Sequence, residues 1–187
     1  MLALVGVTIR PDNTYCPQAP ASYNGARMLK STARLIRGLL DGERVLSLAV
    51  LVEGAPFTGL LPFVPLPGHT GVMIHASRLS RHTAGLTEGA RAAVLLHEQD
   101  GPGKDPLQLK RVSFECDVHP LVRESEPWAA GRARYLERFP DSRITFRLGD
   151  FTLYRLEFRQ GVLVAGFGRA MDIAPRDIAK LGTLGLP

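Results

Sequence analysis

The sequence predicts one α+β domain built around an antiparallel, barrel-like sheet. Six or more short segments carry strand signals, the first three are joined by short turns, and helical patterns lie among them. Short turns favour an antiparallel meander over alternating βαβ units. Strands of this kind with interspersed helices are typical of an α+β barrel-like domain. The length of 187 residues agrees with one domain and a substantial core.

Composition limits the classes of protein that need to be considered. Hydrophobic residues make up 45% of the chain and charged residues 22%, close to the average for soluble globular proteins. The longest apolar runs are too short to cross a bilayer. The first seven residues lack the basic leader and cleavage site of a signal peptide. We therefore expect a cytoplasmic protein that does not act at a membrane.

The charge and the cysteines argue against two further classes. The net charge is +5, but its arginines are spread along the chain rather than clustered with aromatic residues, so we expect no nucleic-acid binding. Cys16 and Cys116 are isolated from each other and predict neither a disulfide framework nor a metal site. Cys116 and His119 are expected on opposite faces of one strand.

The first helix follows an irregular arm at residues 1–21. Apolar residues recur at helical spacing from Ala26 through Ile36 to Leu40, with arginine and lysine elsewhere on the helical wheel. Ser22 is the expected N-cap, and Asp41-Gly42 is the expected end.

Three strands are expected next, at residues 44–53, 57–64 and 71–76. The second contains Pro62, which indicates an edge or a bulge, because proline cannot donate to a strand ladder. Gly54-Ala55-Pro56 and residues 65–68 mark the turns between the strands.

The second half of the chain alternates helices and strands. We expect a short helix at 79–89, a strand at 91–97, a loop at 99–106 and an alternating strand at 107–118. A helix at 126–139 should end before Pro140. Residues 150–158 and 161–167 read as a hairpin turning at Arg159-Gln160. The folded domain is expected to span 22–173, followed by a tail at 174–187.

One polar stretch, residues 75–86, stands out because it joins a strand to an expected helix start. It is rich in serine, arginine and histidine, and free backbone N–H groups at a helix start favour an anion. The sequence therefore predicts a phosphate site here. The alternative is a surface turn in which Ser80 caps the short helix and the arginines are solvated.

Five motifs together carry a family resemblance. They are Gly54-Ala-Pro-Phe, Ile74-His-Ala-Ser-Arg-Leu-Ser-Arg-His-Thr-Ala-Gly-Leu, Leu109-Lys-Arg-Val-Ser, Gly149-Asp-Phe-Thr-Leu-Tyr-Arg, and Gly166-Phe-Gly-Arg-Ala. Over roughly residues 25–173 the chain resembles the FMN-binding split-barrel superfamily, which is the pyridoxamine 5′-phosphate oxidase-like group. Within it, the haem-utilisation branch of HugZ/HutZ type is the most similar.

The resemblance implies a six-stranded antiparallel split β-barrel with flanking helices, forming a homodimer with FMN at the subunit interface. The expected function is that of a flavoprotein oxidoreductase acting on an unidentified small-molecule substrate, in which FMN carries the redox chemistry. Arg111 should lie near the isoalloxazine ring. Phe167 and Arg169 either face the cofactor or belong to a bulge approached by the partner subunit. The remaining implied contacts are Thr58, Gly59, Leu60 and Leu61 on the second strand, the backbone of His75 and Ala76, and Ser77, Ser80, Arg81 and His82 in the turn.

Departures from the family pattern keep other functions open. The oxidases commonly have arginine where this chain has Gly59 and lysine where it has His82, so the resemblance implies weaker phosphate binding. The oxidases recognise pyridoxal phosphate largely through a C-terminal Arg-Pro and Arg-x-His region, and residues 173–187 contain no histidine or tryptophan, so we expect no pyridoxamine phosphate oxidase activity. The haem-degrading branch takes a histidine near the C-terminus as iron ligand, but the last histidine here is His119. Its absence favours the flavin. The alternatives are a haem-binding or haem-degrading protein, with haem propionates on Arg81, Arg111 and Arg169, and a cofactor-free binding module. His69, His97 and His119 are assigned no ligand role.

Overall fold

The structure, a computed structural model, describes Met28 and residues 30–183. In chain order its helices and strands are α1 (Lys30–Gly42), β1 (Val45–Val52), β2 (Ala55–Pro65), β3 (Gly71–Ser77), β4 (Arg91–His97), β5 (Arg111–Pro120), α2 (Glu126–Arg138), β6 (Phe151–Val164), β7 (Ala170–Ile173) and α3 (Pro175–Ile178). A 3₁₀ turn, Arg81–Gly85, follows β3.

The strands form one antiparallel sheet that closes into a barrel. Its order is β3-β2-β1-β4-β5-β6-β7, and a further pairing of β3 with β6 closes the first six strands. The predicted six-stranded barrel is confirmed, with β7 added beyond it on β6. Pairing of β2 with β3 covers only Phe63 to Pro65, so the two strands separate towards Thr58 and Ser77. This opening in the wall is the split of the barrel.

The core fills the barrel because alternate residues of each strand point inward. Val112, Phe114, Cys116 and Val118 are buried along β5, as the alternation predicted. His119 lies on the other, more accessible face. The inner face of α1 joins the same core cluster, with Ile36 fully buried. Each fully buried side chain of this size stabilises the fold by about 1.5–3 kcal/mol.

Both long helices agree with the prediction where the structure describes them. α1 ends at Gly42, whereas its expected N-cap Ser22 and the arm at 1–21 lie outside the described residues. α2 ends at Arg138, before Pro140. Two arginines on α2 are not merely solvated: Arg134 Nε donates to the carbonyl of Pro65 at 2.9 Å, and Arg138 donates to the carbonyl of Asp41 at 3.0 Å.

The predicted hairpin at 150–167 is wrong, because β6 is one strand of 14 residues. Gln160 is polar but remains in the ladder, donating to Glu115 Oε1 at 2.8 Å. Gly161 does not turn the chain either. A Cβ there would lie 2.4 Å from the Ser113 carbonyl oxygen, so glycine allows close approach of β5. A register shift at Glu115/Cys116 accommodates the local bend.

Two further element boundaries differ from the prediction. The helix expected at 79–89 is only the five-residue 3₁₀ turn. Gly85 ends it against β1, where a Cβ would lie 2.6 Å from the Leu51 carbonyl oxygen. The strand expected from residue 107 begins at Arg111, because Pro106–Gln108 forms a 3₁₀ turn whose N-cap Asp105 accepts a hydrogen bond from the Leu107 N–H.

The end of the described chain packs on the barrel. Ile178 of α3 and Leu181 are buried in the main core cluster. The division of the chain at residue 173 remains a prediction. No helix in residues 30–183 has the length and apolar character needed to span a bilayer.

Candidate functional site

The turn after β3 uses its own polar groups to hold itself together. Ser77 Oγ donates to Asp150 Oδ2 at 2.5 Å and accepts from the Leu79 N–H at 3.1 Å. Thr83 Oγ1 donates to the Ser77 carbonyl at 2.7 Å. The Ser77 hydroxyl, expected to donate to a phosphate, therefore already donates to a carboxylate.

His82 lies against Gly59 in the split of the barrel. A Cβ on Gly59 would lie 2.9 Å from His82 Nδ1 and 3.1 Å from its Cγ, so the ring occupies the space in which a side chain at position 59 would begin. Among the described residues, His82 Nε2 is buried and has no hydrogen-bond partner. Burial lowers the pKa of His82, which favours the neutral ring. The structure thus brings Gly59 of β2 and His82 of the turn together, and neither residue supplies a positive charge.

The rest of the turn departs from the expected helix start. Ser80 makes no side-chain capping bond, so its interpretation as a cap is wrong. A five-residue 3₁₀ segment also lacks the aligned peptides on which the helix-dipole argument depends. Arg81 is exposed, with its guanidinium carbon 5.0 Å from the centre of the Phe57 ring.

His75 and Ala76 point in opposite directions from β3. Ala76 faces the barrel core. His75, 7% exposed, faces the layer under α2, where its ring stacks on Phe146 at 3.8 Å. Desolvation, aided by the positive charge of Arg123, lowers the pKa of His75 to about 4. Its side chain is thus a neutral packing group. The cofactor contact predicted for the backbone of His75 and Ala76 stays a prediction.

A second group of predicted residues lies at the start of β5 and in the β6–β7 connection. Arg111 pairs with Val164 of β6, and its Nη1 donates to the Leu109 carbonyl at 3.1 Å. Phe167 is 66% exposed, and its N–H donates to Gln108 Oε1 at 3.1 Å. The Ala165 N–H donates to the Arg169 carbonyl at 2.9 Å. Residues 165–169 therefore form a tight turn between two strands and not a bulge, whereas the contact of Phe167 and Arg169 with a cofactor or a partner subunit stays a prediction.

The two groups do not meet within one chain. The register places Gly59 level with Phe114 of β5, through Leu48 and Val94 on the intervening strands. Arg111 is three residues further along β5, which is roughly 10 Å along the strand and roughly 14 Å across the sheet from Gly59.

The outward-facing side chains of β2, β1, β4, β5 and β6 form a surface, here called the outer face. Several of them are apolar and exposed: Leu60 at 70%, Val45 at 44% and Val162 at 40%. Leu60 is level with Ser113, through Ser47 and Leu95. Val45 and Leu60 lie on the neighbouring strands β1 and β2, whereas Val162 lies on β6, four strand positions from β2 in the sheet order. The outer face could not be predicted from any single segment, because it forms only when the strands pair.

The outer face also contains a histidine that the sequence analysis set aside. His97 ends β4, is exposed, and pairs with Arg111 of β5. Its Nδ1 lies 2.9 Å from the Glu98 carbonyl oxygen. The only local signal was its outward position after the buried Leu96. Among the described residues, no three His, Cys, Asp or Glu side chains are grouped so as to hold a metal ion by themselves.

The chain is similar to heme proteins and to proteins of the pyridoxine phosphate oxidase family. No protein-family model matches the chain. The heme oxygenase HutZ of Vibrio cholerae serotype O1 is 29% identical over 145 residues, which cover 76% of this chain and 81% of that protein. The solved structure of HutZ, described as the heme storage protein from Vibrio cholerae, superposes on this chain with a TM-score of 0.64 and 26% sequence identity. The match covers 74% of this chain and 96% of the HutZ chain.

More distant structures show the same fold. A heme-binding protein from Mycobacterium smegmatis is 23% identical with a TM-score of 0.69, covering 82% of this chain and 61% of that one. A Clostridium acetobutylicum protein related to general stress protein 26, of the pyridoxine phosphate oxidase family, is 11% identical with a TM-score of 0.62, covering 81% of this chain and 99% of that one. The resemblance to the pyridoxamine 5′-phosphate oxidase-like split barrels, and among them to the HugZ/HutZ branch, is confirmed.

Proposed function

We propose that this chain is a haem-binding protein of the haem-utilisation type, which binds haem on the outer face of a homodimer. The observation that carries the proposal lies in the turn after β3, where the phosphate of FMN was expected. There the His82 ring occupies the space in which a side chain at position 59 would begin. The chain keeps the split barrel, but the His82 ring takes up space beside Gly59, one of the second-strand positions that the resemblance assigns to the flavin.

Electrostatics disfavours a phosphate in this turn. Phosphate sites are built from arginine, lysine and free N–H or O–H donors. Here Gly59 and His82 replace two cations, and Ser77 donates to the Asp150 carboxylate, which would repel a phosphate placed beside it.

The outer face suits haem better, because haem is a planar apolar ring with two carboxylates. Leu60 and Val162 offer exposed apolar surface. Arg111 keeps guanidinium N–H groups beyond its one bond to the Leu109 carbonyl, and Arg169 is exposed in the β6–β7 turn. Arginine pairs readily with carboxylates such as the propionates. The similarity to HutZ supports the same ligand. Once bound, haem supplies redox-active iron, and the protein supplies orientation and electrostatics.

A homodimer follows from the same surface. Val45 and Leu60 are exposed on the neighbouring strands β1 and β2, and a second subunit that covered them would remove apolar surface from water. In such a dimer, Gly59 and His82 of one subunit would approach Arg111 and the β6–β7 turn of the other across the subunit interface.

FMN is the second candidate, favoured by the two turn residues that remain accessible. Ser80 makes no capping bond, and the exposed Arg81 can reach an anion from its position over Phe57. With FMN bound, the protein would be an oxidoreductase acting on a small-molecule substrate.

Parallel titrations with haemin, FMN and riboflavin distinguish the candidates. Haem binding predicts a Soret band that saturates with haemin, together with weak flavin binding that is equal for FMN and riboflavin, because the closed turn gains nothing from the phosphate. Arg111→Ala and Arg169→Ala should weaken haemin binding, whereas Arg143→Ala, an exposed arginine beyond α2, should not. FMN binding much tighter than riboflavin binding, without saturable haemin binding, would overturn the proposal in favour of the flavin.

A further inference from the structure

We propose that His97 is the iron ligand of the bound haem. This inference rests on the proposed function and names the residue of the outer face that would hold the metal. The five histidines of this sequence are the candidates, because an imidazole nitrogen is a good ligand for iron.

Four of the five histidines are poorly placed to bind iron, and all five lie within the described residues. His69 has its Nε2 hydrogen-bonded to Asp41 at 2.9 Å and its Nδ1 buried. His119 has a carboxylate beside each ring nitrogen, Glu88 at 2.7 Å from Nδ1 and Glu157 at 3.8 Å from Nε2. His75 is buried in its aromatic stack. His82 has its Nε2 buried in the split of the barrel. His97 is the one whose ring is exposed and is hydrogen-bonded only to backbone in the described structure.

The hydrogen bond of His97 prepares its other nitrogen for a metal. A carbonyl oxygen can only accept, so the bond of 2.9 Å to Glu98 requires the proton to be on His97 Nδ1. Nε2 then carries a lone pair. Histidine ligands in metalloproteins usually donate their second nitrogen to a carbonyl or carboxylate in this way, which fixes the tautomer and the ring orientation.

The end of β4 is held in place beneath this ring. The Glu98 N–H donates to the Lys110 carbonyl at 2.9 Å, and the Lys110 N–H donates to Glu98 Oε1 at 3.0 Å. Lys110 Nζ adds an ion pair to Glu98 Oε2 at 3.1 Å. The carbonyl that orients His97 therefore belongs to a fixed strand end.

The neighbours of His97 provide the remaining features of a haem site. Arg111 is its direct partner on β5, and Val164 is the partner of Arg111 on β6. Continuing the β1–β4 register by two residues brings the exposed Val45 beside His97. Val164 lies two strand spacings, roughly 10 Å, from His97, and Phe167 and Arg169 follow it in the next turn. A ligand nitrogen, apolar contacts and the cation of Arg111 thus lie within the span of one porphyrin, with Arg169 in the adjoining turn.

The test is the haemin titration repeated on His97→Ala, with His119→Ala as the matched control. We expect His97→Ala to weaken haemin binding by more than about tenfold, or to shift the Soret band and remove the iron–histidine vibration from the ferrous Raman spectrum. His119→Ala should keep the spectrum of the wild-type protein. His97→Gly should recover that spectrum with added imidazole, which shows that the fold is intact.

The outcomes separate this inference from the proposed function. If the wild-type protein binds haemin and His97→Ala keeps its affinity, Soret position and Raman band, the ligand assignment is overturned but haem binding stands. If the wild-type protein does not bind haemin, both are overturned. Equal loss of binding in the His97→Ala and His119→Ala variants would also overturn the assignment, because the effect would not be specific to the outer face.

Discussion

Substitution of Gly59 by alanine tests whether His82 really closes the split of the barrel. The new Cβ would lie 2.9, 3.1 and 3.3 Å from three atoms of the His82 ring. Overpacking of this kind costs about 1–3 kcal/mol when the neighbour cannot move away. Replacing glycine by alanine where the backbone allows it stabilises by about 0.4–1 kcal/mol through the unfolded chain. We expect a net loss of about 1–2 kcal/mol in the free energy of unfolding.

A double-mutant cycle isolates the contact. In the His82→Ala background no ring opposes the new Cβ, so Gly59→Ala should be neutral or stabilising by up to about 1 kcal/mol. The coupling between the two positions should therefore exceed about 1 kcal/mol. Urea unfolding followed by circular dichroism measures it, at one protein concentration throughout, because a dimer gains stability with concentration.

The control is Gly149→Ala, because nothing lies within 4 Å of its new Cβ. This substitution should change the free energy of unfolding by less than about 0.5 kcal/mol. If Gly59→Ala has the same effect with and without the His82 ring, the ring is not fixed against Gly59. The phosphate turn would then be open, and the argument against FMN would fail.

Three further predictions concern packing, pH and assembly. Gly161→Ala should destabilise by about 3 kcal/mol or more in thermal or urea unfolding, since its Cβ would lie 2.4 Å from a backbone oxygen, whereas Gly38→Ala, with open space around it in α1, should stabilise by up to about 1 kcal/mol. The pKa of His75 is lowered from 6.5 to about 4, so between these pH values the unfolded chain binds a proton on His75 and the folded protein does not. The free energy of unfolding should therefore fall by on the order of 2 kcal/mol as the pH drops from 6.5 to 4. His75→Phe should remove this part of the pH dependence, and an equal pH dependence in the variant and the wild-type protein would contradict the prediction. Leu60→Asp should convert a dimer to a monomer in light scattering, whereas Leu107→Asp, an exposed leucine beyond the outer face, should not; a monomeric wild-type protein would refute the two-subunit site.

The barrel could be predicted largely because its strands show local patterns. β5 alternates strictly between buried and accessible residues, and β4 was predicted with its bounds at 91–97. The β6 error had a physical cause: Gln160 and Gly161 resemble a turn locally, but β5 supplies the hydrogen-bond partner for the first and the close contact for the second. Such tertiary effects are not visible in a single segment.

The candidate site was predictable only in part. The resemblance directed attention to Gly59 and His82, but only the structure shows that the two positions are in contact. Asp150 was not expected to accept from Ser77, because 73 residues separate them. His97 was assigned no ligand role from the sequence. The role proposed for it depends on Arg111, which becomes its neighbour only when β4 and β5 pair.

The most direct test of the account is the absorbance spectrum of the freshly purified protein during titration with haemin and, separately, with FMN. The closed turn and the apolar outer face predict a Soret band that saturates at one haem per chain and is lost or shifted in His97→Ala, with little change in the flavin spectrum. A flavin spectrum that saturates at one FMN per chain, with no Soret band that saturates, would contradict the central claim.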